Sequence, residues 1–137
     1  MKQEDKQLLL KDLCARLPYE VKCQYTSQDY KKIKRDFICT LIQIRTISKK
    51  FIIMCSDNHL DYCTYETDLN ILKPYLRSMS NMTEEERNHW KCISIGCPDW
   101  DFTARALDWL NSHHFDYRGL IEKGLALEAP ENMYKEI

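Results

Sequence analysis

The feature that most constrains the fold is the apolar stretch Phe37–Cys55, FICTLIQIRTISKKFIIMC, which is interrupted once, at residues 48–50. β-Branched and aromatic residues dominate this stretch, and they suit the pleated surface of a strand. Between Phe37 and Ile47 one set of alternate positions is apolar or Thr throughout, and the other turns polar only at Gln43 and Arg45. Such weak alternation predicts a strand that is covered on both faces for about half its length.

The interruption Ser48-Lys49-Lys50 divides the stretch into two segments that we expect to pair as a β-hairpin. It lacks the glycine or Asn-Gly of a tight two-residue turn, so a loop of about three to five residues is predicted. A buried helix is the rival interpretation, because periodicity alone does not separate the two for short apolar runs.

Length and composition restrict the class of protein. A chain of 137 residues predicts one domain, and a net charge of −1 gives no overall attraction to nucleic acid or anionic lipid. No run approaches the roughly 18 apolar residues of a membrane span, and the acidic residues near the N-terminus do not fit a signal peptide. Seven cysteines, an odd number, indicate reduced thiols in a cytoplasm rather than a disulfide framework. We therefore expect a cytoplasmic protein with no membrane partner.

The segments before the central stretch predict a helix and then a strand. Residues 4–17 carry leucines at helical spacing, with Asp12 and Arg16 off that stripe, and Pro18 ends the helix. Residues 19–26, YEVKCQYT, alternate between apolar and polar positions, which is typical of a half-buried strand. After the central stretch, short strands are expected at 60–65 and 69–72, and residues 73–75 are expected to leave the sheet.

The last third of the chain predicts helices. Thr83 and Glu86 form a capping box for a helix that ends near residue 93, and Asp99 can cap the next one. Asp116 can cap a short final helix over 117–123, with a glycine at the left-handed position after it. Residues 126–137 have no strong pattern and are expected to fray.

Together these segments predict a single α+β domain over residues 1–137. It has an N-terminal helix and a small curled antiparallel sheet, or an SH3-like barrel, of four or five strands within about residues 19–75. Two or three C-terminal helices, within 83–124, are expected to pack on the sheet.

Three blocks of the sequence resemble a known family. They are LLLKDLCARLPY (8–19), LKPYLRSMSNMTEEER (72–87) and DWLNSHHFDYRGLIEKGLALEAPENMY (108–134). The blocks are similar to a family of small uncharacterised proteins encoded by phages, prophages and other mobile elements of gut Bacteroidetes. The resemblance does not extend to residues 20–71. It implies a bacterial or phage-infected cytoplasm and an accessory role, and it supplies no activity, cofactor or catalytic residue.

Two groups of residues have the ligand types that zinc accepts, Cys55-His59-Cys63 and His89-Cys92-Cys97. Neither has the paired CxxC knuckles of a zinc ribbon, so no metal and no cofactor are predicted. A Cys–His nucleophilic pair would lack a glycine-rich elbow or oxyanion loop, so no catalytic residue is predicted either.

The segment from His113 to Arg118 holds the densest group of functional side-chain types, HHFDYR. Its imidazoles titrate near neutral pH, and a neighbouring acid or phenol can tune them. The structural interpretation is favoured: His113 lies against the core, Phe115 fills a loop and Asp116 caps a helix.

A basic cluster offers a binding surface. Its residues are Tyr30, Lys31, Lys32, Lys34 and Arg35. Lys49 and Lys50 are expected on a loop that could lie near it. Cations beside an aromatic ring on a small sheet can bind phosphates and stack a base. Nucleic-acid binding is therefore one alternative function, although acidic segments elsewhere oppose it.

The aromatic content points to a protein partner. Three Trp and eight Tyr exceed the needs of a small core, and such residues are enriched where proteins bind each other. We therefore expect a non-catalytic protein-binding accessory module with Trp100, Tyr75 and Trp90 as anchors. Its partner would be a host or phage protein or a second copy of itself. A small-molecule (nucleotide) sequestering protein, or an enzyme, with a pocket between sheet and helices is a further alternative.

Overall fold

Helices and strands of the computed structural model are placed within residues 1–28, 30–47, 50–57, 60–67, 69–94 and 100–134. The helices there are α1 Gln3–Arg16, α2 Glu84–Ser94 and α3 Trp100–Ser112. The strands are β1 Lys22–Gln28, β2 Lys34–Ile47, β3 Lys50–Asp57, β4 Leu60–Thr67, β5 Leu72–Ser78, β6 Phe115–Asp116 and β7 Leu127–Glu128. Within this part of the chain, no helix combines the length and the apolar character needed to cross a bilayer.

The sheet is open and mixed. Its strand order is β4-β3-β2-β1-β5-β6, and β7 also pairs with β5. The five longer strands are antiparallel to their neighbours, whereas the two-residue strands β6 and β7 run parallel to β5. The α+β prediction is therefore confirmed, and the barrel alternative is wrong. A barrel needs its first and last strands to pair, but here the far edge of β5 is taken by C-terminal residues.

The central stretch forms the predicted hairpin of β2 and β3, so the helical interpretation is excluded. Ile47 pairs with Lys50, which leaves a connection of two residues, 48 and 49, that lie outside the described part of the chain. The expected loop of three to five residues is therefore wrong. The register shifts between Leu41 and Gln43, where β2 carries a bulge.

The strand β5 departs from the prediction. Residues 69–71 form a 3₁₀ turn rather than a strand, and the chain then stays in the sheet through Ser78 instead of leaving it at 73–75. Pro74 lies opposite Cys23. Proline is tolerated in a strand where the ladder does not need its missing N–H. Alternate residues Leu72, Pro74 and Leu76 are buried, so β5 is half-buried like β1.

The main core lies between α1 and the strands β1, β2 and β5. α1 confirms the predicted N-terminal helix and directs Leu9 and Leu13 into this core. The core residues, all buried, are Leu9, Leu13, Val21, Cys23, Cys39, Leu41, Leu69, Leu72, Leu76, Leu120, Leu125 and Ala126.

A second cluster joins α2, α3 and β6, with Met82, Leu110 and Phe115 buried at its centre. The capping box that starts α2 is confirmed in both directions. The Glu86 N–H donates to Thr83 Oγ1 at 3.1 Å, and the Thr83 N–H donates to Glu86 Oε1 at 3.0 Å. The start of α2 is therefore set locally, as its sequence predicts.

The predicted final helix over residues 117–123 does not form, and turns occupy residues 120–124. Gly119, within the predicted helix, has a φ of +73°, a left-handed conformation that a right-handed helix does not contain. The capping role of Asp116 still holds, because its carboxylate accepts hydrogen bonds from the N–H groups of Leu120 and Ile121 at 2.9 and 3.0 Å. Gly124 takes the expected left-handed position, with a φ of +73°.

The segment expected to fray is ordered as far as residue 134. The Tyr134 hydroxyl accepts a hydrogen bond from the Lys22 N–H at 2.9 Å and donates to the Tyr75 carbonyl at 2.7 Å. The β1–β5 register, in which Cys23 lies opposite Pro74, would place Lys22 opposite Tyr75. The hydroxyl therefore takes the place of a ladder hydrogen bond where β1 and β5 separate. The Tyr134 ring also stacks on His114, with ring centres 3.7 Å apart.

We expect Tyr134→Phe to lower the free energy of unfolding by about 1–3 kcal/mol, because a part-buried N–H and a carbonyl would lose their partner. Urea unfolding followed by circular dichroism measures this loss. Tyr30→Phe is the matched control, since the Tyr30 side chain is 90% exposed. Equal stabilities for the two variants would contradict the role of the Tyr134 hydroxyl in the sheet.

Candidate interaction surface

The β1–β2 hairpin projects beyond the rest of the sheet. β1 pairs with β2 from Lys22 to Gln28, but β5 pairs with β1 only from Cys23 to Tyr25. On the other side, β3 meets β2 first at Cys39. Among the strands that the structure describes, the hairpin therefore has two strands alone over residues 26–28 and 34–36. We call residues 26–38, of which residue 29 is not described, the hairpin arm.

Exposed apolar side chains concentrate on this arm. Of the eight large apolar side chains that are exposed in the described part of the chain, four lie on the arm and a fifth, Ile42, lies just beyond it. Their exposed fractions are Tyr30 90%, Ile33 49%, Phe37 42%, Ile38 46% and Ile42 43%. Scattered exposed apolar residues are normal, but a group of them marks an interaction site. The arm is therefore the strongest candidate for a binding surface.

The geometry of β2 explains this exposure. Phe37 shares a face with the buried Cys39 and Leu41, but it is exposed and stacks on Tyr25, with ring centres 6.3 Å apart. Ile38 lies on the opposite face of the sheet and is exposed too. The prediction that this half of the strand is covered on both faces is therefore wrong, because only Cys39 and Leu41, on one face, are buried among residues 37–42. The basic run just before Phe37 is the sequence signal for an exposed position.

The arm carries a run of basic residues. Lys31, Lys32, Lys34 and Arg35 are all exposed there. Counted from the sequence, these four cations and two acids, Asp29 and Asp36, give residues 26–38 a net charge of +2, whereas the whole chain has −1. The Lys31 ammonium lies 5.6 Å from the centre of the Tyr30 ring. All five residues of the predicted cluster are thus exposed on the arm, and one cation, Lys31, lies over the aromatic ring of Tyr30.

Lys50, which was expected near this cluster, does not join it. Lys50 pairs with Ile47 at the end of β2 opposite to Lys34, and Lys49 is outside the described residues. Thirteen steps along a strand, at about 3.3 Å each, separate Lys34 from Ile47 by about 40 Å. The two basic segments therefore lie at opposite ends of one long strand.

The aromatic residues predicted as anchors lie elsewhere. Trp90 is partly buried and stacks on Trp109, with ring centres 5.8 Å apart. Tyr75 is half-buried in β5. Trp100 begins α3, and its side chain is outside the described structure. Part of the aromatic content thus forms an internal stack, in which Trp109 also contacts His113 at 4.4 Å between ring centres.

A fully buried ion pair in α1 was missed by the sequence interpretation, which placed both residues off the buried stripe. Arg16 Nε donates to Asp12 Oδ2 at 2.8 Å, and neither side chain is exposed. Arg16 Nη2 also donates to the Phe115 carbonyl at 2.6 Å, which ties α1 to β6. Arg118 approaches the other Asp12 oxygen at 3.3 Å. The four-residue spacing of Asp12 and Arg16 in one helix is the signal that pairs them.

The segment from His113 to Arg118 contributes to the interior around this ion pair. Phe115 is fully buried, as predicted for a loop plug, but the more deeply buried histidine is His114 rather than His113. Burial, followed by the charges of Arg16 and Arg77, lowers the pKa of His114 from 6.5 to about 4. His114 is therefore held neutral at physiological pH.

Arg77 and Glu86 form a second ion pair beside this segment. Both Arg77 Nη atoms contact the Glu86 carboxylate, at 2.7 and 2.6 Å, and the guanidinium lies 4.3 Å from the centre of the Phe115 ring. These hydrogen bonds from Arg77 are the main reason why the pKa of Glu86 falls to about 2. The pair holds the start of α2 against the end of β5.

Metal binding finds no support among the residues that the structure describes, where no group of three or more His, Cys, Asp and Glu side chains could hold an ion. His59 and Cys97, one from each candidate ligand set, lie outside those residues. Among the described cysteines, Cys14, Cys23, Cys39 and Cys92 form no disulfide.

Comparison with known proteins does not assign the chain to a family. No protein-family model, no curated protein and no solved structure matches it.

Proposed function

We propose that this protein is a non-catalytic, cytoplasmic protein-binding accessory module of a phage or mobile element, and that the hairpin arm contacts its host or phage partner. The concentration of exposed apolar side chains on the arm carries this proposal. It supports the predicted class of function with a different set of anchors: Tyr30, Phe37 and Ile38 replace Trp90, Trp100 and Tyr75.

The arm has the features of a protein-binding surface. Covering the exposed parts of Tyr30, Phe37 and Ile38 contributes about 1 kcal/mol each by the usual area relation. Aromatic residues are favoured at the centres of interfaces, and cations at the rim speed association with an acidic partner. A two-stranded arm also presents both of its faces to a partner.

Capture from a host lysate treated with nuclease tests the proposal. We expect wild-type protein to retain one or more bacterial proteins, and Phe37→Ser/Ile38→Ser to retain them at least tenfold less. Ile71→Ser/Leu107→Ser is the matched control, because both of its side chains are 40% exposed outside the arm. Equal capture by the two variants would show that the arm is not the contact surface.

Nucleic-acid binding is the second candidate, and the exposure of Tyr30 beside four cations favours it. Stacking of a base on Tyr30 and phosphate contacts from the lysines would give a steep dependence on salt. Fluorescence anisotropy with a labelled single-stranded oligonucleotide, at several salt concentrations, measures this. Lys31→Gln/Lys32→Gln should flatten the salt dependence if the proposal holds, and no binding at low salt would exclude it.

A further inference from the structure

The hairpin arm has an open backbone edge. On one side β2 pairs with β1, where Gln28 lies opposite Lys34 and Gln24 opposite Ile38. On its other side, none of the described strands pairs with β2 before Cys39. The Leu41 N–H donates to the Val21 carbonyl at 3.0 Å, so odd-numbered residues of this part of β2 turn their backbone groups towards β1. Alternation along an antiparallel strand then turns those of Lys34 and Asp36 towards the open edge.

The side chains along this edge follow a simple order. One face carries Arg35 and then Phe37, and the other carries Lys34, Asp36 and Ile38. Each face thus has a cation nearer the tip of the arm and an exposed apolar residue further from it. On the second face Asp36 lies between Lys34 and Ile38, and it accepts a hydrogen bond from Thr26 Oγ1 at 2.7 Å. A strand placed beside this edge would meet cations at one end and apolar side chains at the other.

We propose that the edge of β2 over residues 34–38 binds an extended acidic segment of the partner as an added β-strand, which specifies the partner chemistry of the function proposed above. Main-chain hydrogen bonds supply affinity in this mode, and side chains on both faces supply specificity. Direct pairing sets the pattern of the segment. The partner segment carries two acidic residues opposite Lys34 and Arg35 and two apolar residues opposite Phe37 and Ile38. One further residue separates the two pairs.

Charge selects an acidic segment over a second copy of this chain. Two arms paired in parallel and in register would place Lys34 opposite Lys34 and Arg35 opposite Arg35, and like charges directly opposite are destabilising. The symmetric antiparallel register centred on Asp36 would place Asp36 opposite itself. Cations on an open strand edge also discourage edge-to-edge aggregation in natural proteins. An acidic strand places an opposite charge against both Lys34 and Arg35, which no symmetric pairing of two arms does.

Fluorescence polarisation with two labelled peptides, GSEETVISG and GSIVTEESG, tests the proposal on the full chain. The first places acids and apolar residues correctly for parallel pairing, and the second for antiparallel pairing. We expect one of them to bind at least tenfold more tightly than the same peptide with lysines in place of its glutamates. Lys34→Glu/Arg35→Glu should lose this binding, and Lys11→Glu/Lys123→Glu, with the same change of charge at exposed sites outside the arm, should keep it.

Backbone N-methylation of the binding peptide separates an added strand from other contacts. Methylation at one set of alternate residues should weaken binding at least tenfold, and methylation at the other set should leave it unchanged. Binding that tolerates both sets would overturn the added strand. Binding of neither peptide, or of a single-stranded oligonucleotide instead, would overturn the acidic partner. The lysate comparison of Phe37→Ser/Ile38→Ser with its control tests the proposed function independently of these peptides.

Discussion

We expect Asp12→Ala to lower the free energy of unfolding by about 3–5 kcal/mol, because removal of one partner from a buried ion pair leaves an uncompensated charge. Asp12 is the carboxylate between two arginines, Arg16 at 2.8 Å and Arg118 at 3.3 Å. Arg16 is fully buried, so its charge has no access to water once Asp12 is gone. Chemical denaturation of the wild type and the variant measures the loss.

Glu4→Ala is the matched control for Asp12→Ala. Glu4 is an exposed acid in the first turn of α1, so its removal should change stability by no more than about 0.5 kcal/mol. The double variant Asp12→Leu/Arg16→Met should lose less than Asp12→Ala plus Arg16→Met, since no buried Arg16 charge remains. A loss of under about 1 kcal/mol for Asp12→Ala would contradict the placement of this pair in the interior.

Lowering the pH from 6.5 to 4 should reduce stability by about 3 kcal/mol through His114 alone. The pKa of His114 is about 4 in the folded protein, well below its ordinary value of 6.5. Between these values the unfolded chain binds a proton at this histidine and the folded chain does not, so acid favours unfolding. The contribution of His114 is fully present above pH 6.5 and is lost as pH falls to 4.

Unfolding measured at steps of pH tests this prediction. His114→Asn should remove most of the slope between pH 6.5 and 4.5, and asparagine tolerates the φ of +62° at this position. His89→Asn, at an exposed histidine, is the control and should keep the slope. Glu86 acts in a lower window, because its pKa of about 2 lies below the usual 4.5 and its contribution is lost as pH falls through that range. A wild-type slope that survives in His114→Asn would contradict the assignment.

Features determined by neighbouring residues were predictable from the sequence. The leucine spacing of α1, the β-branched runs of β2 and β3 and the reciprocal bonds of Thr83 and Glu86 all depend on residues close together in the chain. Asp116 likewise keeps its predicted capping role. The helix expected after it does not form, and Gly119 has a left-handed φ there.

Features determined by distant contacts were not predictable. A hydrophobic pattern assigns a charged pair in α1 to solvent, whereas its burial depends on distant contacts such as the Phe115 carbonyl, 99 residues from Arg16. The order of the C-terminal segment depends on bonds from Tyr134 to Lys22 and Tyr75, 112 and 59 residues away.

Only part of the candidate site was predictable, because the rest of it also depends on distant contacts. The basic residues of the arm stand out in the sequence, but the exposure of Phe37 and Ile38 depends on which distant parts of the chain pack on β2, and β3 pairs with β2 only from Cys39 onward. An apolar strand has the same pattern whether or not its neighbours cover it. The separation of Lys34 from Lys50 follows from the unbroken length of β2, which the sequence does not show.

The bond from Tyr134 to β1 has a consequence for the timing of folding during translation. The β1–β2 and β2–β3 pairs join neighbouring segments and can assemble as soon as they leave the ribosome, whereas Lys22 must wait for a residue made 112 positions later. Until then the nascent sheet has an incomplete boundary between β1 and β5. Chaperones that recognise unpaired strands would therefore still find this boundary open after β5 has been made.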